Sequence, residues 1–165
     1  MKKQMRPLLA FFLACLMLFG IVSCSRADVP ARDRLGTLLA LYGDVPAGAV
    51  YATIPREGDK PLDDRLASSL YIRADGYLEY DGRVADAAVY LGSTAAPFFE
   101  AAVFVCYGNA DTRAVCEMCM RRIRMIAAAH AVKEDDAVIA VSGRTVVCII
   151  TRDSAAAQAV LDKLL

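Results

Sequence analysis

A chain of 165 residues has room for one domain, since domains run about 100–150 residues. Its apolar content of 57% excludes a disordered polymer and is inflated by the first 23 residues. Setting those aside removes Lys2, Lys3 and Arg6, leaving 16 basic against 19 acidic residues and a formal charge of −3. That balance excludes nucleic acid as a partner recruited by bulk charge.

The N-terminus reads as an address. Lys2, Lys3 and Arg6 form a cationic lead, and residues 8–22 are nearly all apolar. Fifteen residues suit the apolar stretch of a signal peptide and fall short of the roughly 20 that span a bilayer as a helix. The run ends in Ile21, Val22, Ser23 and Cys24. This resembles the lipobox of bacterial lipoproteins, with an aliphatic residue three places before the cysteine and a small one beside it. The chemistry needs a thiol just outside the apolar stretch, and Cys24 supplies it as the residue that takes a diacylglyceryl group. The competing readings are ordinary cleavage after Ala27 and a short uncleaved anchor. Cys15 lies inside the apolar stretch and leaves with the signal peptide. The expected organisation is a signal peptide at 1–23, a lipidated cysteine and tether at 24–34, and one α+β domain at 35–165.

Apolar residues at 35, 38, 39 and 42 have helical spacing, and Gly43 ends that helix. Residues 50–54 alternate as a short strand, residues 55–60 form a loop, and Pro61 opens a helix through Leu70. Gly76 and Gly82 bracket a short segment at 77–80. Residues 86–91 and 101–107 are apolar strands joined by a loop over 92–97. Asp111 is the expected cap of a helix over 112–129, with Val115, Cys119, Ile123, Ile126 and His130 on one face. Arg113, Glu117, Arg121 and Arg124 fall on the other. Residues 137–141 and 145–151 form a hairpin with Gly143 in the tight turn, and Asp153 caps a last helix. The second half thus runs strand, strand, helix, strand, strand, helix. Connections this short require antiparallel pairing, so the expected fold is α+β: a sheet of about four antiparallel strands with helices packed on one face.

Three stretches carry a likeness: 41–48, 86–90 and especially 102–112 with 115–122, which include Phe104, Cys106, Tyr107, Asp111, Cys116 and Cys119. They resemble an uncharacterised domain family of predicted lipoproteins in anaerobic Gram-positive bacteria, over most of the chain from Leu35 onward. That resemblance implies address and fold and transfers no functional residue.

Cys116 and Cys119 make a C-x-x-C pattern. A reactive pair of this kind places its first thiol at a helix N-terminus, where free amides lower its pKa. Here Cys116 falls a turn inside the expected helix. Zinc wants paired ligand groups, whereas Cys106 and Cys148 are isolated and His130 is the sole histidine, so neither a metal nor a cofactor is expected. The better reading of the four thiols is as buried small hydrophobes, with one disulfide, from Cys106 to Cys116 or Cys119, as the alternative in an exported protein. His130 suits a helix C-terminus. Arg121, Arg122 and Arg124 read as a solvated face, residues 133–136 as a charged turn, and Tyr71, Tyr77 and Tyr80 as core-edge tyrosines.

The expected function is a membrane-tethered, extracytoplasmic binding or interaction module without enzymatic activity. Its anchor is the acyl group on Cys24, and its partner is a protein or small molecule of the envelope. The rival reading is an envelope thiol–disulfide oxidoreductase using Cys116 and Cys119.

Overall fold

The computed structural model describes residues 29–71, 82–92, 98–130 and 132–165. In chain order these form α1 (Ala31–Tyr42), β1 (Gly48–Ala52), β2 (Lys60–Pro61), α2 (Asp64–Tyr71), β3 (Val84–Gly92) and β4 (Glu100–Cys106). Then follow α3 (Thr112–Ala129), β5 (Ala137–Ser142), β6 (Thr145–Ile150) and α4 (Ser154–Leu164). Cys24, the segment 77–80 and the loop 93–97 lie outside the described residues.

One sheet of six strands runs in the order β2-β1-β3-β4-β6-β5. Every pairing is antiparallel except β1 with β2. The strand–strand–helix repeat of the second half is present as expected. The four-strand sheet is not: β1 and the two-residue β2 extend it beyond β3. Pro61 contributes to β2, and α2 starts at Asp64, where the Asp63 carboxylate accepts from the Leu66 N–H at 2.8 Å.

The helices also cover both faces of the sheet, where one face was expected. On one side Leu70 and Tyr71 of α2 and Met118, Cys119, Ile123 and Ile126 of α3 pack over Ala102, Phe104, Val146 and Cys148. On the other, Leu35 and Leu38 of α1 and Val160 and Leu161 of α4 pack over Ala101, Val103, Val147 and Ile149. The physical reason lies in β4 and β6, in which every residue is buried. A strand that is apolar on both faces needs cover on both.

The first helix begins at Ala31, four residues ahead of the expected Leu35, and Ala31 is fully buried. Its N–H donates to the Asp86 carboxylate at 2.8 Å, and Asp86 also accepts from the Thr53 hydroxyl at 2.6 Å. Arg32 pairs with Asp59 at 2.7 Å, and Arg56 pairs with Asp33. The entry of the chain into the domain is therefore bonded to the start of β3 and to the β1–β2 loop. Asp153 caps α4 as expected, accepting from the Ala156 N–H at 2.9 Å. Asp111 stands at the N-cap of α3 as expected, but its side chain bonds no amide of that helix. Its carboxylate accepts from the Gly108 N–H at 3.0 Å and pairs with Arg83 at 3.3 Å, closing the 3₁₀ turn that precedes the helix. No described helix is long and apolar enough to cross a membrane.

Candidate functional site

The topology brings the four described cysteines to one side of the sheet. Cys106 ends β4, Cys148 lies in β6, and Cys116 and Cys119 sit on α3 above them; all four are free thiols. Cys119 is hydrogen-bonded to Cys148. That bond, with burial, holds the Cys119 thiol well above its ordinary value. Burial, with the Asp111 carboxylate adding to it, pushes Cys106 up to about 11, and burial raises Cys116. A nucleophilic cysteine needs the opposite shift, toward thiolate at neutral pH. The C-x-x-C pair lies within α3, where backbone amides are consumed by the helix and do not stabilise a thiolate. Among the described residues no group of three or more His, Cys, Asp or Glu side chains is arranged to hold a metal ion.

The polar chemistry lies at one end of the same layer. Glu100 opens β4 and is buried. Its two carboxylate oxygens accept from Arg122 of α3, from Nε at 3.0 Å and from Nη2 at 2.7 Å. The side chains are 3% and 14% exposed respectively, so the fork is taken almost wholly out of water. Burial, the largest single influence, pulls the Arg122 pKa down, but the hydrogen bond to Glu100, the Glu100 charge and the neighbouring Tyr71 and Cys148 together outweigh it, and the net direction is up. Behind the pair stands Tyr71, 3% exposed, its ring edge-on to Phe104 with centroids 5.2 Å apart. The Tyr71 hydroxyl is buried without a hydrogen-bond partner. Burial, and next the Glu100 charge, hold that phenol well above its usual pKa.

Over the ion pair lies a depression of about 290 Å³. Leu91 and Gly92 at the end of β3, Phe98 to Glu100 at the start of β4, and Arg122, Met125, Ile126, Ala129 and His130 of α3 line it. The His130 ring leans over Phe98, centroids 4.9 Å apart at 33°, so the histidine that sequence spacing put at the helix end also forms a wall of the depression. Gly92 is required here by close approach, because a Cβ would sit 2.5 Å from the Phe99 carbonyl oxygen. The depression combines an apolar wall with a guanidinium and a carboxylate that already satisfy each other. Such a surface suits recognition of a partner with both apolar and polar groups. A larger hollow of about 540 Å³ beside β2 and α2 is lined by Tyr51, Lys60, Arg65 and Ser69 among others. It is a shallow surface hollow with no buried polar pair at its base.

Glu100 and Arg122 were missed by reasoning from sequence, which put Arg122 on a solvated face with Arg121 and Arg124. Arg124 is exposed and pairs with Glu134 at 3.6 Å, but Arg121 is only partly exposed and Arg122 turns inward. The signal was available: Arg122 lies four residues from both Met118 and Ile126, on the buried stripe of α3. No family model, curated protein or solved structure matches this chain.

Proposed function

We propose that the chain is an extracytoplasmic lipoprotein, acylated at Cys24, whose domain is a non-enzymatic binding module engaging an envelope partner at the Glu100–Arg122 depression. The supporting observation is where the chain enters relative to that depression. The Ala31 N–H is bonded to Asp86 near the start of β3, whereas Leu91 and Gly92 at its far end line the depression. Six residues of strand separate the two by roughly 20 Å. A tether arriving at Ala31 holds that end of the domain toward the membrane and turns the depression outward. Two or more acyl chains make such an attachment durable, since each buried CH₂ contributes about 0.8 kcal/mol. The thiols, pushed upward in pKa, weigh against the oxidoreductase reading of Cys116 and Cys119.

The test uses the full chain in its membrane. Cys24→Ser should abolish incorporation of a labelled fatty acid and leave the precursor unprocessed. A photoreactive side chain in place of Met125, which is 45% exposed at the depression, should cross-link a discrete envelope component. The same group at Arg113, at the opposite end of α3, should not. A Cys24→Ser protein that is still acylated, or indistinguishable adducts from the two positions, would overturn the reading.

A further inference from the structure

The end of the sheet at which the chain enters can be traced across five strands. Ala52 pairs with Ala88, and the Thr53 N–H donates to the Ala87 carbonyl. Asp86 pairs with Val105, Val105 with Thr145, and Thr145 with Ser142. This row runs from the end of β1 through β3, β4 and β6 to β5, and it includes Asp86, the acceptor of the Ala31 N–H. Neighbouring strands lie about 4.8 Å apart, so the row is roughly 20 Å wide.

Apolar side chains left in water gather at this end. Among the described residues the four most exposed large ones are Ile54, Tyr107, Val141 and Val29, at 66, 60, 49 and 46%. Ile54 lies one residue past Thr53, Tyr107 one past Cys106, which pairs with Val84, and Val141 one before Ser142. Val29 stands two before Ala31. Met125, next at 45%, belongs to the depression at the far end. Single exposed hydrophobes are ordinary on a protein surface, but a set confined to one end marks a contact. The backbone that carries the Tyr107 ring is held on both sides. Its N–H donates to the Arg83 carbonyl at 3.0 Å, and its carbonyl accepts from Arg144 Nη1 at 2.9 Å.

We propose, building on acylation at Cys24, that this end of the domain rests on the lipid bilayer itself, with Ile54, Tyr107 and Val141 at the boundary between headgroups and acyl chains. The length of chain before the fold selects lipid as the occupant. Cys24 to Ala31 is seven residue steps, which reach at most about 25 Å when fully extended. The apolar row therefore stays close to the anchoring acyl chains. A short tether makes the second contact intramolecular, at an effective concentration in the ~mM range. A contact too weak to recruit a free protein is then filled once Cys24 is anchored. The side chains suit the place: tyrosine favours the headgroup level, with its ring toward the chains and its hydroxyl in water, and isoleucine and valine bury apolar area beside it. Arginines at this end are matched by acids, Arg32 by Asp59, Arg56 by Asp33 and Arg83 by Asp111. The contact therefore does not depend on anionic lipid.

The sequence contains no tryptophan, so one introduced indole reports its own site. The experiment uses the acylated full chain in phosphatidylcholine vesicles with bromines on the acyl chains as quenchers. Ile54→Trp, Tyr107→Trp and Val141→Trp should each be quenched and emit to the blue of their emission in water, whereas Met125→Trp should do neither. Salt of about 1 M, where the Debye length is about 3 Å, should leave the quenching unchanged. Ile54→Asp combined with Tyr107→Asp should remove most of the quenching of Val141→Trp without changing the melting of the domain, since both side chains are exposed. Acylated protein in which Ile54→Trp and Tyr107→Trp are quenched no more than Met125→Trp overturns the proposal and leaves the lipoprotein reading standing. So does a row shielded from an aqueous quencher only when envelope proteins are added, which would make this end a protein-binding surface. Quenching of the row in a chain that takes up no labelled fatty acid would uphold the lipid contact and remove Cys24 as its anchor.

Discussion

Replacing Arg122 by methionine would leave Glu100, only 3% exposed, without the fork that binds both its oxygens at 3.0 and 2.7 Å. Removing one member of a buried pair costs about 3–5 kcal/mol, because the remaining charge stays desolvated and unpaired. Against a total stability of about 5–15 kcal/mol for a domain of this kind, that loss moves the urea midpoint by a large fraction. The converse change, Glu100→Leu, should cost less, about 2 kcal/mol, because Arg122 sits at the rim of the depression and its long stem can swing the head into water. The double variant carries neither charge and fills both sites with apolar volume, so it should fall within about 2 kcal/mol of wild type. The two single losses therefore should not add, and a double-mutant cycle should return a coupling of about 3 kcal/mol or more. Urea unfolding monitored by circular dichroism reads this directly, provided the dependence on denaturant is the same for all four proteins. Additive losses would mean that the ion pair contributes nothing beyond its two side chains taken separately.

Two further outcomes follow from the same layer. Tyr71→Phe deletes a buried hydroxyl that has no partner and keeps the edge-on contact with Phe104. It should raise stability by about 1 kcal/mol in the same urea assay, and a loss would mean the hydroxyl is bonded in solution. The thiols set the alkaline limit. Cys106, raised to about 11 by burial, stays protonated in the fold while the unfolded chain loses that proton near 8.5. Its contribution is therefore complete below about pH 8.5 and disappears by about pH 11, at roughly 1.4 kcal/mol per pH unit. Cys106→Ala should flatten that slope when unfolding free energy is measured from pH 7 to 10.5, and an unchanged slope would count against the burial argument.

How much of this was legible in the sequence follows from the range of the forces involved. The second half was readable because its signals are local: Gly143, at φ +56°, sits in a two-residue loop between apolar runs, and Asp153 stands where its carboxylate meets the Ala156 N–H. The uninterrupted apolarity of β4 and β6 also carried a message, since strands with one wet face alternate. It pointed to helices on both sides, a conclusion that requires taking the run as a whole. The strand at 50–54 was legible and is β1, but the edge strand β2 escaped because it has no periodicity of its own and exists through its parallel register with Tyr51 and Ala52. The start of α1 escaped because what fixes it is Asp86, 55 residues away. Arg122 is the clearest case. Its position between Met118 and Ile126 marks the buried stripe, but an arginine is tolerated there only if an acid is buried opposite it. That acid is Glu100, 22 residues earlier, and it faces Arg122 only once β4 has been placed in the middle of the sheet under α3. Helical spacing can show which direction a side chain points; only the register of the sheet can show what waits for it there.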